Sequence, residues 1–301
     1  MTILLIGKDG QLGHELQTYL SDHKGYEDVK AVGRETLDLA APDQISLLIH
    51  QLQPSIIVNA AAYTAVDKAE TDIERANAIN GTAPTVMAKA AQACGATLIH
   101  VSTDYVFDGT KNTPYLEDDP IHPLGAYGES KRLGEQGVQE QCDRYLILRT
   151  AWVYGAGGKG NFVKTMLRLG KERDELRVVV DQVGTPTWTG HLADVIAQIT
   201  AKLNASTDKA QFPFGIYHVT NSGAISWYDF AIAIFEEAER LGFPLQIKRV
   251  VPITTAEYPT PAKRPAYSVL SHQKTTQLLN TPPPHWRKDL RQMLRAYAQS
   301  V

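Results

Sequence analysis

Thr2-Ile3-Leu4-Leu5-Ile6-Gly7-Lys8-Asp9-Gly10-Gln11-Leu12-Gly13 is a short apolar run that breaks into three glycines spaced three apart. Gln11 to Leu20 then follows with helical periodicity, so the glycines form a turn between a strand and a helix. Glycines at such a turn let the chain bend sharply and approach a pyrophosphate, which then sits at the positive helix N-terminus. An ordinary strand–helix turn is the plainer reading. The position of the turn at the start of a βαβ pattern favours a dinucleotide site lined by Gly7, Gly10, Gln11, Leu12 and Gly13.

That pattern continues outward. Val29 to Val32 reads as a second strand, and Pro42-Asp43 opens a helix through Ile45 to Leu52. Ser55 to Asn59 is a third strand. An alanine-rich helix, about Ala83 to Ala93, leads into a fourth strand, Thr97 to Ser102. Tyr127 to Glu140 is helical and is followed by a fifth strand, Tyr145 to Arg149. Short β-branched runs alternating with helices predict an α/β fold, a Rossmann-type doubly wound parallel sheet. After Trp152 the order loosens. A helix is expected over Phe162 to Leu169, a strand over Arg177 to Val180 and a helix over Leu192 to Leu203. A further sheet strand is expected over Phe214 to Val219, then helices over Trp227 to Arg240 and about Trp286 to Ala298. Proline-dense stretches, Pro252 to Pro265 and Pro282 to Pro284, break the remainder. This divides the chain into a dinucleotide domain, 1–150 and about 188–222, and a smaller α/β substrate domain, about 151–187 and 223–301.

The 301 residues, 43% hydrophobic and 21% charged, suit a soluble globular protein with well-buried cores. A net charge of −3 gives no electrostatic case for nucleic acid or an anionic membrane. The two cysteines, Cys94 and Cys142, fit no metal or redox spacing and are expected to be reduced core thiols. No apolar run approaches a membrane span, and Met1 leads straight into a strand, so a cytoplasmic location is expected. His14 beside Glu15 has no second histidine at zinc-protease spacing. Neither a G-x-S-x-G elbow nor a phosphate-binding P-loop occurs.

The chemistry gathers in Tyr127-Gly128-Glu129-Ser130-Lys131. On a helix, Tyr127 and Lys131 share a face. A free phenol is a poor acid–base catalyst; a neighbouring ammonium favours the phenolate and is expected to draw its pKa toward neutrality. Thr103, in Ser102-Thr103-Asp104, supplies a hydroxyl to hold a carbonyl oxygen against the phenol. The trio suits proton transfer at a carbonyl or alcohol oxygen, the complement of hydride transfer. At the end of the second strand, Arg34 argues for the 2′-phosphate of NADPH, with a solvated surface arginine as the other reading. Asp38 and Leu39 could line the adenine. Asn59-Ala60-Ala61 ends the third strand in small residues, suiting close approach to a cofactor ribose or simply tight packing. Tyr63, Thr64, Val66 and Asp67 continue past that strand's carboxyl end, where open α/β sheets place ligands.

Together, the glycine turn, Ser102-Thr103-Asp104-Tyr105-Val106-Phe107 and Tyr127-x-x-x-Lys131 resemble the extended short-chain dehydrogenase/reductases. Within them, the chain is similar to the dTDP-4-dehydrorhamnose reductase family nearly end to end. The likeness includes Asn59-Ala60-Ala61 with Thr64 and Val66-Asp67, Arg149-Thr150-x-Trp152-Val153-Tyr154, Asp181-Gln182-x-Gly184-x-Pro186-Thr187 and Pro259-Thr260-Pro261-Ala262-x-Arg264-Pro265. The resemblance implies NADPH, with NADH as the alternative, and a dTDP-sugar whose carbon 4 ketone receives the hydride. It implies that Tyr127 protonates the alkoxide, that Lys131 lowers the tyrosine's pKa and binds the nicotinamide ribose, and that Thr103 bonds the ketone. Asp104, Tyr105 and Trp152 would shape the sugar pocket. Asn161 and Arg264 would reach the nucleotide-diphosphate end, Arg264 through its bidentate fork.

Three rivals arise, the first of them disfavoured. Dehydratases of the superfamily carry Thr-Asp-Glu, and Tyr105 takes the glutamate's place here. An epimerase would have to release and re-present its sugar to a tightly held cofactor. A non-catalytic relative, like the regulatory subunit of methionine adenosyltransferase, could retain Thr103, Tyr127 and Lys131 for binding alone. The family resemblance also brings in a homodimer bridged by Mg²⁺, held by glutamates of the first, a mid-chain and the last helix. Only Glu15 stands at such a position here; the mid-chain helix opens Thr189-Gly190-His191 and the last reads Met293-Leu294-Arg295. No metal is therefore expected, and Arg295 would repel a cation at that seam.

Overall fold

A computed structural model of the protein describes residues 2–22, 28–206 and 211–300. Met1 lies outside these residues. Six parallel strands form the main sheet. They are β1 (Ile3–Ile6), β2 (Val29–Val32), β3 (Ile56–Asn59), β4 (Thr97–Thr103), β5 (Tyr145–Thr150) and a last strand, Gly215–His218. In space they run last strand, β5, β4, β3, β1, β2. The chain moves outward from β1 to β2, then returns to the other side of β1 with β3, so the order reverses between β1 and β3. Leu5 pairs with Ala31 on one side and Val58 on the other, and Ile6 with Val32 and Asn59. Ligands of open α/β sheets bind in the crevice that such a reversal leaves at the carboxyl ends of the strands.

Alternate side chains of one strand point to opposite faces, and both faces are covered. Ile3 and Leu5 of β1 join one core with Leu12 and Leu16 of helix Gln11–Asp22 and with Leu192, Ile196 and Ile199 of helix Thr189–Ala205. Leu4 and Ile6 join the other core. There they meet Ile45 and Ile49 of helix Pro42–Leu52, Met87 and Ala91 of helix Ala83–Cys94, and Val138 of helix Ala126–Gln141. This two-sided burial is why the strands are nearly unbroken apolar runs. Cys142 is buried, Cys94 is half-buried and both are free.

A third core gathers helices Phe162–Glu172, Trp227–Arg240 and Trp286–Ser300 around Tyr154, Met166, Phe230, Ile234, Trp286 and Leu290. Ser226 begins the second of these with a reciprocal cap to Asp229. A strand that the sequence reading did not assign, Arg249–Ile253, runs into the first proline-dense stretch and lies parallel to Glu175–Val179 in a two-stranded sheet. Pro252 is tolerated because both strands of a two-stranded ribbon are edges, where one missing N–H costs no ladder bond. Periodicity also passed over Val66–Ala69, Ile73–Asn77 and a π-turn at Ala78–Thr82. They are too short to show a repeat.

Candidate active site

The glycine turn packs backbone on backbone. Gly7 has φ +96°, and a Cβ there would stand 2.7 Å from the Ala61 nitrogen. One on Gly13 would reach 2.0 Å from the Gly7 carbonyl oxygen. Glycine is thus required at both positions to seat the first helix on β1 and bring the ends of β1 and β3 together. Gly10 donates to the Gly7 carbonyl at 3.1 Å. Leu12 offers only its backbone to a ligand, because its side chain belongs to the core. Gln11 Oε1 accepts from Asn161 Nδ2 at 2.7 Å. Asn161 also caps helix Phe162–Glu172 and bonds the Gly155 carbonyl. Its amide is therefore engaged beside the glycine turn, where it ties the Gly155–Gly160 stretch over the first helix.

At the end of β2, Arg34 is exposed and forms no ion pair among the described residues. Lys8 pairs there with Glu35 at 2.8 Å and Asp9 at 3.3 Å, a charge group that motif reading did not anticipate. Asp38 is exposed and accepts from the Ala40 N–H. Leu39 packs against the second core.

Past β3, Asn80 of the π-turn pins the Tyr63 backbone from both sides. Its Oδ1 accepts from Tyr63 N at 2.8 Å, and its Nδ2 donates to Tyr63 O at 3.0 Å and to Ser130 Oγ at 2.9 Å. A π-turn at a site-forming residue is a recurrent device. Ala60, Ala61 and Val66 are half-buried, and Thr64 is exposed. Asp67 is joined to Arg264 at 2.9 Å and accepts from Ala262 N at 3.2 Å, so the proline-rich segment closes onto the end of β3.

Thr103 ends β4 and caps the single turn Asp104–Val106 by accepting from Tyr105 N at 3.2 Å. Its hydroxyl donates to Asp104 Oδ1 at 3.1 Å. Burial pushes the Asp104 carboxyl up to about 6. Ser102 Oγ, Asp104 Oδ2 and Thr150 Oγ1 are buried without hydrogen-bond partners, all at the carboxyl ends of β4 and β5. Buried polar atoms are rarely left so, and these suit a polar ligand entering the crevice. Tyr105 and Tyr127 meet edge to face at 5.5 Å. Trp152 holds φ +48°, stacks on Trp227 at 3.5 Å and lies over Gly184. A non-glycine residue held in the left-handed region is a strain that only well-packed surroundings sustain.

Tyr127 and Lys131 lie one turn apart in helix Ala126–Gln141, as their spacing required. Their electrostatics correct the sequence expectation. Burial pushes the Tyr127 phenol up to about 12, partly offset by the Thr103 hydroxyl, and Lys131 contributes no lowering in this state. The lysine, 1% exposed, turns its nitrogen toward β4, donating to the Val101 carbonyl at 2.7 Å. Burial holds Lys131 down to about 8. Desolvation of both groups outweighs the expected mutual stabilisation. One turn further, Glu135 and Arg149 form a buried ion pair at 2.7 Å. Arg149 also donates to the Glu117 carbonyl at 3.1 Å. His100, Asn80 and Glu135 escaped sequence reading, since none belongs to a quoted motif and each meets its partner only in the tertiary fold; Arg149 stood in the Arg149-Thr150-x-Trp152 string, but its pairing with Glu135 did not show there.

A family model described as the RmlD substrate binding domain matches residues 1–299. A dTDP-4-dehydrorhamnose reductase of Burkholderia thailandensis is 44% identical over 289 residues, covering 95% of this chain and 96% of that one. Another from Escherichia coli is 44% identical over 295 residues, covering 98% and 97%. Among solved structures, the Bacillus anthracis dTDP-4-dehydrorhamnose reductase in complex with NADP has 36% identity and a TM-score of 0.88, covering 98% of this chain and 100% of that one. The chain belongs to the RmlD substrate binding domain family.

Proposed function

We propose that this chain reduces the carbon 4 ketone of dTDP-4-dehydro-L-rhamnose to give dTDP-L-rhamnose, with NADPH as cofactor and NADH as a poorer substitute. The observation that carries this reading is Thr103, Tyr127 and Lys131 at the carboxyl end of β4 and in the adjoining helix, on the same sheet edge as the Gly7–Ala61 contact. Near-full-length relatives that bear the reductase name support it, as does the neighbour solved with NADP.

The glycine turn suits a dinucleotide: a Cβ at Gly7 or Gly13 would fill the backbone contact that shapes it, and the helix beyond leaves N–H groups free of helical partners. Gly7, Gly10 and Gly13 would hold the pyrophosphate, with the backbone of Gln11 and Leu12. Ala60, Ala61 and Tyr63 would line the ribose side, Asp38 and Leu39 the adenine, and Arg34 the 2′-phosphate. When bound, NADPH supplies the hydride. Thr103 orients the ketone oxygen and Tyr127 gives it a proton as charge develops there, so the high pKa of the phenol keeps the donor protonated until the alkoxide forms. Lys131 would hold the ribose and replace the proton on Tyr127. Asp104, Tyr105 and Trp152 flank the sugar, with Thr64, Val66 and Asp67 opposite. Arg264 contacts the diphosphate, and Asn161 acts from its cap beside Gln11.

Among the described residues no helix is long and apolar enough to cross a membrane. We place the reaction in the cytoplasm, with the nucleotide sugar as partner and a homodimer as the assembly. The test follows NADPH oxidation with a panel of dTDP-4-keto sugars, with the product identified by NMR. Oxidation only with the dehydrorhamnose substrate supports the reading. No oxidation with any keto-sugar would favour a non-catalytic binding protein.

A further inference from the structure

Lys131 faces a second nitrogen besides its carbonyl partner. His100 of β4, 0% exposed, sets Nε2 3.3 Å from Lys131 Nζ. The other ring nitrogen, Nδ1, lies 3.0 Å from Asn59 Nδ2. The orientation of Asn59 is decided elsewhere: its Oδ1 accepts from Ala61 N at 3.2 Å, so its NH₂ is the end turned to the ring. A neutral imidazole has one donor and one acceptor. With Nδ1 accepting from Asn59, the hydrogen sits on Nε2 and points at the lysine nitrogen. An ammonium has no lone pair to receive it, whereas a neutral amine does.

We propose that His100 is a positioning residue acting through Lys131: held as its Nε2–H tautomer by Asn59, it favours release of the lysine's proton. This rests on the reading of Tyr127 and Lys131 as the proton-delivering pair. The proton count is simple. Tyr127 loses its O–H proton to the substrate oxygen, and the Lys131 ammonium returns one to the phenolate. The amine left behind gains a lone pair, which accepts the Nε2–H hydrogen bond, and solvent then reprotonates it. An acid with a pKa near the working pH delivers and recovers protons best.

The other groups around the lysine fit this account. Burial dominates its depression, and Glu135 opposes it from the same helix. Arg149 of β5 pairs with Glu135 and draws off part of that opposition. Tyr127 stands one turn earlier, and the π-turn presents the neutral Asn80 to Ser130. Burial and the lysine charge hold His100 well below the ordinary histidine range, so the ring stays neutral and its tautomer is defined.

The test uses the full-length chain with NADPH. Nitrogen-15 spectra of the wild-type ring give the tautomer directly, and an Nδ1–H ring would overturn the proposal. The lysine Cε resonance is then titrated in wild type and in His100→Gln, whose amide can turn its oxygen to Nζ. An upward shift of the titration by about one unit is expected. The basic limb of kcat should move the same way, with the dTDP-sugar KM unchanged. A variant that only melts earlier, with both profiles in place, would reduce His100 to packing. If no keto-sugar is reduced, the functional reading fails, while the tautomer and lysine titration still decide this one.

Discussion

Arg264 donates from Nη2 to Asp67 Oδ2 at 2.9 Å across 197 positions of sequence, closing the proline-rich segment onto the loop that leaves β3. The same guanidinium donates from Nη1 to the Ala262 carbonyl at 3.1 Å and to the Thr260 hydroxyl. One face of the fork is thus used to shape the segment, and the pair lies beside Tyr105, whose phenol feels both charges. Arg264→Lys keeps the charge and loses the fork. A charge-assisted hydrogen bond is worth ~1.5–3 kcal/mol, so the KM for the dTDP-sugar should rise about tenfold or more while NADPH affinity holds. An unchanged KM would place Arg264 outside the substrate site.

Tyr127→Phe removes one oxygen from a half-buried ring that also packs on Tyr105. Turnover should fall by about 10²–10⁴, the usual contribution of a positioned general acid. NADPH binding, followed by cofactor fluorescence, should be retained. Turnover close to wild type would remove the proton-donor role.

Arg34 is exposed and without an ion-pair partner among the described residues, next to Lys8, Glu35 and Asp9. Arg34→Ala should reduce the ratio of NADPH to NADH specificity constants several-fold, a modest change because solvent screens an exposed charge. A ratio that does not move makes Arg34 a surface residue and shifts the choice to Lys8.

Asp104 gives a pH-dependent stability signature. Burial raises its carboxyl from 3.8 to about 6 in the folded state. The folded protein therefore binds the proton more tightly than the unfolded chain, and stability from this residue falls as pH rises through that window. Asp104→Asn cannot ionise. It should match wild type below pH 3.8 and gain up to ~3 kcal/mol above about pH 6. Denaturant unfolding at several pH values measures this; a constant difference between the two proteins would contradict it.

Activity is expected to survive exhaustive EDTA treatment. Glu15 lines a cleft of about 310 Å³ with Asp194 and Asp289, two carboxylates that the comparison of helix ends had passed over. Both are engaged, Asp194 by the Tyr19 hydroxyl at 2.6 Å and Asp289 by Asn221 at 2.6 Å. Lys288, not Arg295, is the basic side chain lining that cleft. Among the described residues no three ligating groups stand close enough to hold a metal. Loss of activity or dissociation on chelation, reversed by Mg²⁺, would show that these carboxylates assemble a site.

Local patterning made the sheet legible. Val29–Val32 and Trp227–Arg240 fall where periodicity placed them, and the other long elements differ by a few residues at their ends. Glycine spacing and the i, i+4 pair pointed to the turn and to the proposed proton-delivering pair, because a strand–turn–helix and a helical turn are both written within a few adjacent positions. The short helices between Val66 and Ala83 carried no such signal. They are held by partners far along the chain, such as Ser130 for Asn80.

What sequence alone determined was which residues could do chemistry: a tyrosine, a lysine and a threonine, on a fold recognisable from alternating strands and helices. Tertiary structure decided their state. Burial raises Tyr127 and Asp104 and lowers Lys131, and Asn59 and His100 are brought to the lysine from neighbouring strands β3 and β4. Proton affinity depends on desolvation and on hydrogen-bond partners at about 3 Å. Both are properties of packing across the sheet, which residue spacing along the chain does not specify.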